Sequence, residues 1–121
     1  MKKSKPPSSF QDFLYRFDVY LSLQDKAGQR IDPSKLFEIR NEIIDTFGGV
    51  TTTSIVGNPV YHGFWRSPKT REIASDWNTI FTVLVPQDEK SIRFFLDRKE
   101  QWRKSLDYEA LLITVHQIQV I

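Results

Sequence analysis

At 121 residues, with 40% hydrophobic and 26% charged side chains, the chain has the size and composition of one globular domain, which excludes disordered and fibrous classes. It has no cysteine, so disulfide frameworks, thiolate metal sites and cysteine nucleophiles are excluded together. The net charge of +2 sits at the N-terminus: Lys2, Lys3 and Lys5, three of the 17 basic residues, precede every acid, leaving 14 basic against 15 acidic side chains, poor support for a phosphate-binding face.

Residues 1–9 are Lys, Ser and Pro with Met1 as the one apolar side chain, the composition of a disordered basic tail, and a single domain is expected over 10–121. The basic start is followed by Pro6-Pro7-Ser8-Ser9 where a signal peptide needs an apolar run. No stretch approaches the roughly 18 apolar residues of a membrane span. This reading places the chain in the cytoplasm with no membrane partner.

From Phe13 the apolar residues alternate through Tyr15, Phe17, Val19, Leu21 and Leu23, a long strand with one buried face. Asp32-Pro33 supplies an N-cap followed by proline in the first helical turn. Leu36, Ile39, Ile43 and Phe47 then line one helical face, and Gly48-Gly49 supplies a left-handed stop. The β-branched run Val50–Val56 predicts a strand, broken at Gly57-Asn58-Pro59. Tyr61–Arg66 and Thr70–Ala74 flank Ser67-Pro68-Lys69 as a hairpin arm leading into a further strand, Trp77–Val85. Asp88 can cap a second helix whose inner face is Ile92, Phe95, Leu96, Trp102 and Leu106, with Lys99 interrupting the stripe. Ala110–Ile121 predicts a last strand.

Strand, helix, strand, strand, helix, strand is the split βαβ order. The expected fold is therefore an α+β, ferredoxin-like βαββαβ sandwich, an antiparallel sheet with two helices on one face and an extra hairpin arm.

Phosphate-loop, dinucleotide, nucleophile-elbow and zincin motifs are all missing. With His62 and His116 as the whole histidine supply and no dense acidic cluster, the sequence calls for no metal and no cofactor.

The sheet face away from the helices should present Arg16, Asp18 and Tyr20 beside Leu112, Thr114 and His116, because the first and last strands are neighbours in this topology. Asp18 and His116 could meet there as a catalytic acid–base pair, with Arg16 or Tyr20 placing a substrate and Thr114 beside them. The plainer expectation is a cross-strand polar pair that satisfies itself. The third strand adds either Ile80 and Leu84 or Phe81 and Val83, so apolar surface must face outward. A second copy applied to that face, giving a homodimer, is the structural explanation, and a small-molecule site the functional one.

The arm interleaves Phe64, Trp65 and Arg66 with Lys69 and Arg71, a composition suited to stacking bases and contacting phosphates. Against nucleic acid, the first strand lacks paired outward aromatics. The alternative is that Phe64 and Trp65 pack under the arm or on a partner.

The segments Phe47-Gly48-Gly49-Val50-Thr51, Gly63-Phe64-Trp65, Trp102 and Glu109-Ala110-Leu111-Leu112-Ile113-Thr114-Val115 resemble a family of small uncharacterised bacterial proteins. The resemblance spans most of the domain and implies the fold and no activity. The leading functional expectation is a non-catalytic binding or interaction module acting as a homodimer. A cofactor-free enzyme using Asp18 and His116 is one alternative, and a single-stranded nucleic-acid binder using the arm is the other.

Overall fold

The computed structural model describes residues 13–53 and 61–121. Seven elements follow in order: β1 (Phe13–Ser22), α1 (Pro33–Phe47), β2 (Thr51–Thr52), β3 (Tyr61–Arg66), β4 (Ile73–Pro86), α2 (Glu89–Ser105) and β5 (Leu112–Gln119). The strands form one antiparallel sheet ordered β2-β4-β1-β5, with β3 also paired to β4. This is the expected ferredoxin-like α+β sandwich.

Parity decides what is buried. Phe17, Val19 and Leu21 of β1 and Thr79, Phe81, Val83 and Val85 of β4 point to the helices and are buried. The helices cover them with Leu36, Ile39 and Ile43 of α1 and Phe95 and Trp102 of α2. Phe17 and Phe95 stack at 4.1 Å between ring centroids, joining sheet to helix. The outward parity of β4 is therefore Ile80 and Leu84.

Both helices begin on aspartate caps. Asp32 accepts from the Ser34 amide at 3.0 Å and Asp88 from the Ser91 amide at 2.9 Å, and those bonds hold both carboxyls below their ordinary pKa. Helix α1 ends on Gly48, whose φ of 91° is left-handed and whose amide donates to the Ile44 carbonyl at 2.7 Å. Tyr108, buried after α2, donates its hydroxyl to the Ser22 carbonyl.

Three expectations need correction. Of the strand expected over Val50–Val56, residues 54–56 lie outside the described residues; the described part pairs at Thr51 and Thr52, and at Thr53 the amide donates to the Ile80 carbonyl at 3.3 Å while Oγ1 accepts from the Ile80 amide at 3.0 Å. The Gly57-Asn58-Pro59 break, the tail over 1–9 and the start near residue 10 lie outside the described residues. The second half of the arm and the strand after it are one strand, Ile73–Pro86, because the turn over Ser67–Glu72 delivers the chain straight into the ladder. Leu96 is 67% exposed, and Arg98 rather than Lys99 lies half-buried, because α2 turns Phe94 and Arg98 toward α1. The last strand is Leu112–Gln119, shorter at both ends than expected.

Candidate functional site

Because both helices lie on one face, the opposite face of β2-β4-β1-β5 has no cover from the described residues. The register lays its side chains in cross-strand rows. Asp18 stands between Thr114 of β5 and Thr82 of β4, with Thr51 beyond. Arg16 stands between His116 and Leu84, and Tyr20 between Leu112 and Ile80.

The centre of this face is polar, and Asp18 takes its donors from within it. Asp18 is 5% exposed although no layer among the described residues lies over it, because Arg16 and Thr82 crowd its carboxylate. Oδ1 accepts from the Thr82 hydroxyl at 2.7 Å, and Oδ2 from Arg16 Nε at 3.2 Å, with Nη2 at 3.1 Å. His116 Nε2 is 4.0 Å from Oδ2, within ion-pair range and outside hydrogen-bond range. The expected Asp18–His116 meeting is thus a proximity, and Arg16 holds the position the imidazole was expected to take. Thr114 lies beside Asp18 with its Oγ1 buried and without a partner among the described residues.

Apolar side chains flank the polar centre. Leu112 is 56% exposed on one side of the row and Leu84 54% on the other, while Leu14, Ile80 and Ile118 are half-buried. Two shallow depressions share Arg16, Thr51 and Thr82. The smaller, about 370 Å³, includes Asp18, Tyr20, Tyr61 and Ile80, and the larger, about 620 Å³, runs to the β4 edge past Leu84.

Beyond the end of β1, β3 and the first part of β4 project as a two-stranded arm. Phe64 is 66% exposed and Trp65 is also exposed, so neither packs under the arm. His62 stacks on Trp77 at 4.0 Å and meets Phe64 at 4.3 Å, an aromatic row with nothing over it among the described residues. Arg66 turns back to donate to the Arg71 carbonyl at 2.6 Å. At Gly63 a Cβ would stand 2.8 Å from Asn78 Nδ2, which donates to Asp76 at 2.9 Å, so a side chain there would have to displace the Asn78 amide.

The structure therefore gathers Arg16, Asp18, Tyr20, Thr114 and His116 on one face and sets Phe64, Trp65 and Arg66 apart on the arm. Thr82, the second holder of Asp18, was not found in the sequence, where nothing reveals the β1–β4 register. The Arg16–Asp18 pair was within reach, since residues two apart in a strand share a face. Among the described residues, no group of three His, Cys, Asp or Glu side chains could hold a metal ion, and no helix is long and apolar enough to cross a membrane.

Comparison with protein-family models and with curated proteins finds no match. Among solved structures, a phage SAM lyase in complex with S-methyl-5'-thioadenosine is similar, with a TM-score of 0.59 over 96% of this chain and 97% of that one. The fold is shared. At 6% identity the likeness extends to nothing finer.

Proposed function

We propose that this chain is a binding module that works through the open face of its sheet, where it pairs with a second copy of itself. The observation that carries the reading is the state of Asp18. Both carboxylate oxygens already take donors from the same chain, while Leu84 and Leu112 beside it stand more than half exposed. A carboxylate with donors on both oxygens and apolar flanks around it suits burial by another surface. The face is at the small end for such an interface: nine paired residues in each of β1 and β4, eight in β5 and two in β2, at about 3.4 Å per residue and about 4.8 Å per strand, give roughly 460 Å² before side-chain relief is counted, against about 800 Å² per partner in a standard interface.

Sedimentation of the full chain tests this. A dimer at tens of micromolar that becomes a monomer or aggregates in Leu112→Glu is expected, and a clean monomer for the unmodified protein overturns the reading.

A second reading, a cofactor-free enzyme on the same face, draws on His116 standing 4.0 Å from Asp18. Because the similar structure is of a SAM lyase, SAM is the substrate to try first. Release of S-methyl-5'-thioadenosine, lost in both Asp18→Asn and His116→Ala, would establish it. No product at high enzyme concentration removes lyase activity on SAM.

A further inference from the structure

We infer that the cleft where β4 outruns β2 is a binding site for a small organic anion with an apolar body, its charge held by Arg16. β2 ends its pairing at Thr51 opposite Thr82, so past that point β4 has β1 on one side and, among the described residues, no strand on the other. Ladder bonding alternates along a strand. Ile80 turns its peptide toward β2, receiving the Thr53 amide on its carbonyl and donating to Thr53 Oγ1, so Leu84, four residues on, turns its N–H and C=O into the cleft. The space measures about 620 Å³, inside the range of about 300–1,000 Å³ typical of small-ligand sites.

The lining has one sign of charge. Phe47, Val50 and Ile118 make apolar walls, Thr51 and Thr82 add hydroxyls, and Arg16 is the single charged group; no carboxylate belongs to the lining. Asp18 fixes the guanidinium from behind through Nε and Nη2, which leaves Nη1 without a protein partner among the described residues. A guanidinium already held in one orientation loses little freedom when it grips a carboxylate or phosphate.

An independent observation comes from the paired glycines. Gly48 is required by its φ of 91°, whereas Gly49 lies outside the left-handed region and a Cβ on it would meet nothing within 4 Å. Neither backbone nor packing explains that second glycine. It lines the cleft, and its lack of a side chain leaves open space there.

Every lining residue belongs to one chain, and because Arg16, Thr82, Leu84 and Ile118 also stand on the open face, the second copy proposed above must leave this edge of the sheet uncovered. The test is an amide NMR titration of the full chain with phenyl phosphate, using phenol as the neutral control. Saturable shifts centred on Gly49, Thr51, Leu84 and Arg16 Nε are expected, with affinity for phenol at least tenfold lower. Gly49→Leu should keep the spectrum of the fold and weaken phenyl phosphate at least tenfold, and Arg16→Lys should weaken it without removing it. Equal affinity for phenol, shifts scattered over surface lysines, or an unaffected Gly49→Leu would overturn the site. The same titration in Leu112→Glu separates the two proposals: a monomer that still binds keeps the cleft whatever becomes of the dimer, and a monomer that no longer binds shows that one chain does not form the site.

Discussion

Glu42 of α1 accepts the indole N–H of Trp102 of α2 at 2.8 Å, and its other oxygen takes Arg98 Nε at the same distance. One half-exposed carboxylate thus fixes how the two helices lie together. Trp102 is buried, so removing its acceptor leaves an indole N–H unpaired, at about 1–3 kcal/mol. Glu42→Ala should lose that much in urea unfolding. Glu42→Gln keeps an acceptor and gives up only the ion pair, which at this exposure is worth less than about 1 kcal/mol. Equal losses in the two variants would show that the indole bond is not what matters.

The adjacent glycines should behave oppositely. Gly48→Ala forces a side chain into a left-handed conformation and should cost about 1–2 kcal/mol in chemical denaturation. Gly49→Ala meets no atom and no forbidden φ and should fall within about 0.5 kcal/mol of the parent. A large loss at Gly49 would move its importance from the cleft to the fold.

Burial, and secondarily the Asp76 carboxylate, push the Tyr108 phenol well above its ordinary pKa. A raised folded pKa means the contribution is intact below the unfolded value of about 10 and is lost as pH climbs beyond it. Near-ultraviolet absorbance should therefore show one tyrosine ionising only as the protein unfolds in alkali. Tyr108→Phe should remove that step, and it should cost about 1–2 kcal/mol at neutral pH because the Ser22 carbonyl loses its donor.

The acid side belongs in part to the caps. The amide bonds from Ser34 and Ser91 lower the pKa of Asp32 and Asp88, so their stabilisation is present above the unfolded carboxylate value of about 3.9 and fades as pH falls through the folded values. Asparagine caps a helix about as well and does not titrate in this range. The double variant Asp32→Asn, Asp88→Asn should keep the neutral-pH melting temperature and show a shallower decline between about pH 5 and pH 2. An unchanged acid limb would assign it to other carboxylates.

The elements with a strong local signal were legible. Asp32-Pro33 and Gly48 bound α1 in the sequence as they do in the structure, and the alternation from Phe13 to Leu23 marks the buried face of β1. What was hidden depends on register. The apolar residues of Thr79–Val85 occupy both parities, so the sequence left open whether Leu84 or Val83 faces out, and only pairing with β1 decides it. The same gap let His116 stand as the partner of Asp18. A diagonal neighbour cannot be told from a direct one until strands are aligned, and the direct partners proved to be Thr82 and Thr114. Leu96 misled for a different reason: beside Phe95, it lies about 100° around the helix, and one of the two had to face water.

β1 lies between β4 and β5, and Phe13 pairs with Gln119 nearly the whole chain away. During synthesis the first strand made is therefore the last to be enclosed. Phe17, Val19 and Leu21 leave the ribosome without either lateral neighbour, and α1, next to appear, brings no strand to bond their backbone. β1 gains its first lateral neighbour only when Asn78 has emerged opposite Ser22, its pairing with β4 is complete only at Pro86, and β5 follows later. Loop closure over such separations is slow as well as late. This topology keeps the apolar face of β1 without a partner strand until β4 is made.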